Sequence, residues 1–235
     1  ALVAERVWQE MVQALKEPQP HLFFDVLRHC GALARIFQEI DRLFGVPQSA
    51  EHHPEIDTGV HVILCLQQAR QMTSNTQVLF AVLTHDLGKG TTPPNEWPKH
   101  TGHEERGVEL IEALCQRYRV PSQHRELAVL VARYHTHCHQ VAELSPETLL
   151  NTLQGLDAFR RPQRFEQFLL ATEADSRGRT GFADQPYPQA AQLRRAFEVA
   201  SQVDVATVIA EGFQRAAIGE ELRRRRVRVL SQLSD

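Results

Sequence analysis

Val78-Leu-Phe-Ala-Val-Leu-Thr-His-Asp-Leu-Gly-Lys-Gly90 runs from an apolar helical segment straight into an imidazole and a carboxylate. A carboxylate buried unpaired at the end of such an element costs on the order of several kcal/mol unless a cation or strong donors face it. Lys89 follows Asp86 by three positions and shares its face if the helix continues. Gly88 and Gly90 then break the helix. The stretch reads as the floor of a metal site. In a chain with 12 histidines a His-Asp pair alone carries little weight. Its weight comes from the apolar helix before it, Leu-Gly-Lys after it, and partners of matching chemistry elsewhere.

Upstream, Val60 to Met72 reads as a helix capped by Thr58 or Asp57. His61 falls in its first turn, a place where histidine is more often a surface residue; the downstream His-Asp pair is what makes it a ligand candidate. Toward the C-terminus, the inward positions Phe165, Phe168, Leu169 and Thr172 lead by helical period to Asp175. His61, His85, Asp86 and Asp175, from three helices, are therefore the candidate metal ligands. Two imidazoles and two carboxylates, with open positions left for water, suit an octahedral divalent ion such as Ni²⁺, Mg²⁺, Mn²⁺, Co²⁺ or Fe²⁺ better than a structural zinc. Such an ion holds a phosphoryl oxygen and lowers the pKa of a bound water. Lys89, His103 and His135 are then candidates to neutralise charge or carry protons beside Asp86. The chain has neither GxxxxGK[ST] nor a nucleophilic Ser or Cys elbow. Metal-activated water attacking a phosphoester is the expected chemistry.

The remaining segments read as helices and turns, and the fold class is all-α. Residues 1–16 have Val3, Val7, Met11 and Leu15 at helical spacing, ending at Pro18 and Pro20. His21 to Phe44 gives one or two helices divided at Gly31, with core aromatics. Glu51 to Asp57 is a polar link. The apolar helix is expected from Val78 to Lys89, followed by a rigid loop through Pro98. His100 and His103 flank Gly102 at the start of a helix from Glu104 to Tyr118. A helix N-terminus attracts anions, so they are candidates for phosphate or a second metal, and equally for capping. Glu126 to Tyr134 is a helix that ends in His135-Thr-His-Cys-His139; His135 lies on its inward face, while His137 and His139 read as loop. Arg177 and Arg179, in Ser176-Arg-Gly-Arg-Thr-Gly181, are candidates for phosphate recognition or members of a solvated turn. Gln189 to Ala200 and Val205 to Leu233 are helices. The run Arg223 to Arg226 with Arg228 is the densest local basic patch, although such runs are usually solvated.

Composition bounds the reading. At 235 residues, 42% hydrophobic and 23% charged, the chain is globular, one large or two small domains. A net charge of −3 argues against whole-chain binding of a polyanion. Cys30, Cys65, Cys115 and Cys138 are widely spaced with no CxxC, as in a cytoplasmic protein with reduced thiols. No signal peptide or bilayer-length apolar run is seen. The chain begins Ala-Leu-Val in what already reads as helix, as expected of a piece of a longer protein.

His61, His85-Asp86 and Asp175 follow the H…HD…D pattern and resemble the HD-domain metal-dependent phosphohydrolase superfamily. Longer stretches carry a closer resemblance: Glu5-Arg-Val-Trp, Val26-Leu-Arg-His-Cys-Gly-Ala-Leu33, His53-Pro-Glu-Ile-Asp-Thr-Gly-Val-His61, Thr84-His-Asp-Leu-Gly-Lys-Gly90, Thr92-Pro-Pro94, Glu173-Ala-Asp-Ser-Arg-Gly-Arg-Thr-Gly-Phe182 and Ile218-Gly-Glu-Glu-Leu-Arg223. Together they are similar to the C-terminal part of the bacterial multifunctional CCA protein family, a tRNA nucleotidyltransferase fused to an HD phosphohydrolase. The resemblance implies a helical HD domain over 58–185 (core motif 58–159), a neck and body remnant over 1–57, and C-terminal helices over 186–235. It also implies 2′,3′-cyclic phosphodiesterase, 2′-nucleotidase and phosphatase activities in tRNA 3′-end maturation or repair, with a metal dependence that includes nickel. His100 and His103 match the extra histidines of extended HD proteins more weakly. Lys89, His100, Arg177 and Arg179 are the expected substrate-binding residues. The tRNA 3′ end or nucleotide phosphates are the expected partners, with a homodimer as a further expectation and no membrane. The nucleotidyltransferase head, with its glycine-rich turn and paired aspartates, is not in this sequence, so CCA addition is not expected from it alone. The alternative is a non-catalytic module that docks tRNA or dimerises and holds a structural ion.

Overall fold

A computed structural model describes residues 3–51 and 53–234, and expectations for residues 1, 2, 52 and 235 lie outside them. The helices in chain order are α1 Ala4–Lys16, α2 His21–His29, α3 Leu33–Ile36, α4 Gln38–Asp41, α5 Thr58–Met72, α6 Thr76–Thr84, α7 His103–Tyr118, α8 Ser122–His139, α9 Pro146–Gly155, α10 Pro162–Arg177, α11 Pro188–Ser201, α12 Val205–Ala210 and α13 Ala216–Ser231. Among the described residues there is no strand, only an isolated antiparallel bridge between Pro47 and Asp57. The fold is all-α. No helix of the described residues is long and apolar enough to cross a membrane.

The chain divides into two compact units. The first comprises the residues up to His135 together with Gln167–Tyr187. Its centre is α6, opened by Asn75, whose side chain accepts hydrogen bonds from the main-chain N–H groups of Gln77 and Val78. Every residue from Val78 to Thr84 is buried, as expected of a helix apolar on all sides. Helix α1 packs on α6 and α7. It buries Val7, Trp8, Met11, Ala14 and Leu15, with Trp8 edge-on to Phe80 at 5.5 Å. Val3 is exposed and precedes the helix, so it is not part of the inward stripe its spacing suggested. Gly31 does end α2, at a φ of 73°, but the segment beyond it is two single turns, α3 and α4, and not one helix.

The largest local departure follows α6. The expected continuation to Lys89 does not occur. The helix stops at Thr84, whose hydroxyl donates back to the Phe80 carbonyl at 2.8 Å. The chain tightens into a 3₁₀ turn over Leu87–Thr91. Close packing forces the change: a Cβ on Gly88 would stand 1.9 Å from the His103 carbonyl oxygen and 2.7 Å from the Gly107 nitrogen. The 3₁₀ geometry eclipses positions i and i+3, which brings Lys89 over Asp86 by a different route from the one the α-helical spacing suggested.

The second unit comprises Thr136–Glu166 and Pro188–Asp235. Its core includes Leu150, Leu153, Phe165, Leu193, Ala196 and Leu230, with Phe197 against Phe159 and Phe165. Helix α9 falls in a stretch that carries no element in the sequence reading; Ser145 caps it and Pro146 occupies its first turn. Helix α8 runs through His139, so His137 and His139 are helical and not loop residues. The ring of His137 bonds the Thr152 hydroxyl at 2.8 Å. The single helix expected over Val205 to Leu233 is interrupted: Gly212 and Arg215, with φ of 95° and 51°, separate α12 from α13. On α13, Arg224 and Arg225 pair with Glu221, Arg225 also with Glu211, Arg223 donates to Gln154, and Arg226 lies over the Phe159 ring. Within the basic run, Arg224 and Arg225 are thus paired with carboxylates, while Arg223 and Arg226 are held by an amide and a ring.

Candidate metal centre

The first unit gathers ionisable side chains at one buried point. Helix α5 supplies His61, fixed in the first turn by the cap in which Asp57 accepts from the Val60 N–H at 2.9 Å. The end of α6 supplies His85 and Asp86. Helix α10 supplies Asp175 from its last turns, α7 supplies His103 from its first, and α8 supplies His135. His61 Nε2 is 3.0 Å from Asp175 Oδ1 and 4.0 Å from Asp86 Oδ2. His85 Nε2 is 3.2 Å from Asp86 Oδ2 and 3.5 Å from Asp175 Oδ1. On the other oxygen, His103 Nε2 and His135 Nε2 stand 3.5 and 3.6 Å from Asp86 Oδ1, and 3.4 Å from each other. Lys89 Nζ is 2.8 Å from Asp86 Oδ2 and donates to Gln48 Oε1 at 2.8 Å.

The four imidazoles are oriented alike. In three of them Nδ1 faces a main-chain carbonyl of a nearby residue: Val82 for His85 at 2.7 Å, Val131 for His135 at 2.9 Å, and His100 for His103 at 3.1 Å. His61 Nδ1 instead lies 2.7 Å from Glu55 Oε1. Carbonyls and carboxylates accept, so the proton sits on Nδ1 and Nε2 is turned toward the shared point. Metal-binding histidines are held this way.

Burial lowers the pKa of every one of these rings, and nearby carboxylates decide the outcome. For His85 the charges of Asp86 and Asp175 outweigh burial and hold it well above the usual imidazole range; for His61, Asp175 and Glu55 do the same more weakly. His135 is held well below the range and His103 below it, because burial prevails over Asp86. Burial pushes Asp86 up, but His85 and Lys89 overcome it and keep the carboxyl well below the ordinary range.

His85 Nε2 and both oxygens of Asp86 are buried without a well-aligned hydrogen bond and are met only by the charged contacts given above. Polar atoms in that condition leave ligand positions that a bound cation or water would fill. The donor set fits a divalent cation: His61, His85 and Asp86 offer ligand atoms within 4.8 Å of one another, as do His85, His135 and Asp175, and Asp86, His103 and His135.

The other expected residues are placed differently. His100 is buried, and its Nε2 bonds the Pro47 carbonyl at 2.8 Å, bracing the 46–57 loop. Arg177 pairs with Glu173 at 3.0 Å. Arg179 donates to the Ser176 carbonyl and hydroxyl and lies over the Phe182 ring. Glu55 and His53, in the polar link Glu51 to Asp57, and Gln48, just before it, were missed by the sequence reading because the stretch has no periodicity. The only signal was that the link carries a His-Pro-Glu sequence just before a ligand helix. Cys65, one helical turn after His61, puts its Sγ 3.4 Å from His61 Nε2.

Two family models match the chain: the HD domain over residues 58–164, and the region described as probable RNA and SrmB-binding site of polymerase A over residues 2–44. The chain is 58% identical over 233 residues to a protein of Thioalkalivibrio sulfidiphilus named Multifunctional CCA protein, covering 99% of this chain and 57% of that one. A protein of the same name from Nitrosococcus oceani is 57% identical over 231 residues, covering 98% of this chain and 57% of that relative. One from Nitrosospira multiformis is 56% identical over 211 residues, covering 90% and 51%. The chain thus spans a little over half the length of these relatives. Residues 58–164, which carry His61, His85 and Asp86, thus match the HD domain, and the chain as a whole is similar to a little over half of the proteins named Multifunctional CCA protein.

Proposed function

We propose that the chain is a metal-dependent phosphohydrolase that acts on 2′,3′-cyclic phosphodiesters, 2′-nucleotides and terminal phosphates, at tRNA 3′ ends or on nucleotides. The observation that carries this reading is the meeting of His61, His85, Asp86 and Asp175 at one buried point, with Nδ1 of both imidazoles held so that Nε2 faces inward. These four residues would hold a divalent cation, of which Ni²⁺, Mg²⁺, Mn²⁺ and Co²⁺ suit the donors. When bound, such a cation supplies Lewis acidity and an acidified water.

The surrounding residues have matching roles. Lys89, fixed by Gln48 and Asp86, presents an ammonium to an anionic phosphate. His103 and His135 are held neutral by burial, with Nδ1–H on carbonyls and Nε2 free of a proton of its own. Either accepts a proton from the attacking water as the O–P bond forms. The same proton then passes to the ring oxygen as its bond to phosphorus breaks. Arg177, Arg179 and His100 are proposed to shape the substrate site. The relatives' name, and the RNA-binding region matched over 2–44, favour tRNA as the macromolecule served.

The test is hydrolysis of 2′,3′-cyclic AMP by chelator-treated protein supplied in turn with Ni²⁺, Mg²⁺, Mn²⁺ and Co²⁺. Activity restored by one of these ions, and lost in folded His85→Ala and Asp86→Ala, is expected. Full activity in either variant would overturn the assignment. Loss of helical structure on chelation, with no hydrolysis under any ion, would instead mark the ion as structural.

A further inference from the structure

We infer that Glu55 is the positioning residue for the ligand His61, and that the 46–57 loop exists in part to deliver it. This rests on the metal-site reading above. Of the four imidazoles around Asp86, three have Nδ1 held by main-chain carbonyls, which no substitution removes. His61 depends on a side chain. Glu55 Oε1 lies 2.7 Å from His61 Nδ1, a close charged contact that is not aligned as a hydrogen bond, and the two side chains are 2% and 0% exposed. The same oxygen is 3.3 Å from Nδ1 of His53, whose ring packs edge-on to His61 at 4.6 Å. The other oxygen, Oε2, accepts from the Thr180 N–H at 3.1 Å. Glu55 therefore joins the His61 ring to the segment that leaves the Asp175 helix, and so couples two ligands contributed by α5 and α10.

The loop is built to hold this carboxylate. Its ends are closed by the Pro47–Asp57 bridge and by Thr58, whose N–H and hydroxyl both donate to the Val46 carbonyl at 3.0 and 2.9 Å. The Gln48 N–H bonds the Ile56 carbonyl at 2.8 Å across the loop. From this frame Gln48 reaches Lys89 and the Pro47 carbonyl reaches His100, so the loop supports the site at three places. A compact closed loop of this kind keeps its side chains in register with the scaffold. A carboxylate on Nδ1 fixes the ring's tautomer and orientation and raises the basicity of Nε2, and removing such a partner usually weakens metal affinity by about 10- to 100-fold.

The test uses Glu55→Ala and Glu55→Gln beside wild type, with Ni²⁺ affinity by calorimetry, helical content by circular dichroism, and the ring ¹⁵N resonances of His61 without metal. Glu55→Ala is expected to bind Ni²⁺ about 10- to 100-fold more weakly, with the His61 ring no longer in one tautomer. Glu55→Gln keeps an acceptor but not the charge, and is expected to hold the tautomer with a shifted His61 Nδ1 resonance, and to bind Ni²⁺ measurably more weakly than wild type but more tightly than Glu55→Ala. If Glu55→Ala does not fold, Glu55→Gln decides: a weaker Kd with a shifted His61 Nδ1 resonance supports the role. Wild-type affinity and unchanged His61 resonances in the folded variants would overturn it. His85→Ala and Asp86→Ala are measured alongside. If they too bind Ni²⁺ as wild type, the metal site itself is wrong; if they lose binding and the Glu55 variants do not, only the role of Glu55 falls.

Discussion

Replacing Lys89 by methionine separates the ammonium from the cation site, because both act on one carboxylate. Lys89 Nζ and Asp86 Oδ2 are 2.8 Å apart in a pair that is 9% and 1% exposed. Breaking such a buried pair from one side costs about 3–5 kcal/mol, since the remaining charge loses its partner. Metal-free Lys89→Met should therefore unfold at a markedly lower urea concentration. A cation on the same carboxylate replaces the missing charge, and at a hundred times its Kd it returns about 2.7 kcal/mol. The loss should accordingly shrink when Ni²⁺ is present. The sign of the binding change is the sharper test. Two unit positive charges about 4 Å apart repel by about 4 kcal/mol at an effective dielectric of about 20, an upper bound that water in the site reduces. A coupling of about 1–3 kcal/mol, roughly 5- to 150-fold, is the expected scale. Lys89→Met should bind the cation more tightly while losing phosphoester hydrolysis. Titration calorimetry with urea melts in the same buffer measures both. Weaker or unchanged binding would refute the idea that lysine and cation share Asp86.

Other expectations follow from particular contacts. Gly88→Ala should destabilise the protein by at least about 1–3 kcal/mol and weaken metal binding, because the added Cβ meets the backbone of the helix that carries His103; a wild-type melting curve would contradict the close crossing. Burial lowers His61 and His85, but Asp175 and Asp86 outweigh it and raise both rings, so a cation must displace protons and its affinity should rise with pH. Calorimetry in buffers of different ionisation enthalpy reads that proton release directly. Burial beside Trp8 and Phe80 lowers His124 to about 4. The unfolded chain then takes up this proton first, so stability falls as pH drops from about 6.5 toward about 4 and levels off below. The slope of the urea midpoint against pH should be shallower in His124→Gln, and equal slopes would exclude His124 as a source.

The convergence of His61, His85, Asp86 and Asp175 was legible because each donor ends or begins an apolar stripe, and helical period carries that stripe's direction. Lys89 was placed correctly beside Asp86 by an incorrect route, since the glycine-dependent crossing with α7 that imposes the 3₁₀ turn has no local signature. Of the 46–57 loop, Glu51 to Asp57 was read only as a polar link. Its contribution depends on tertiary closure through Thr58 and Val46, which neither periodicity nor composition records. Helix α9 had a readable start in Ser145-Pro146, with Leu149, Leu150 and Leu153 behind it, and was passed over. The break between α12 and α13 turns on Gly212 and on Arg215, a non-glycine residue at positive φ that sequence rules do not anticipate.

The central claim is tested most directly by locating the ion. Crystals of chelator-treated protein reloaded with Ni²⁺ should give an anomalous peak within coordination distance of Nε2 of His61 and His85 and of the carboxylates of Asp86 and Asp175. A peak elsewhere, with this cluster empty at saturating Ni²⁺, would contradict the account.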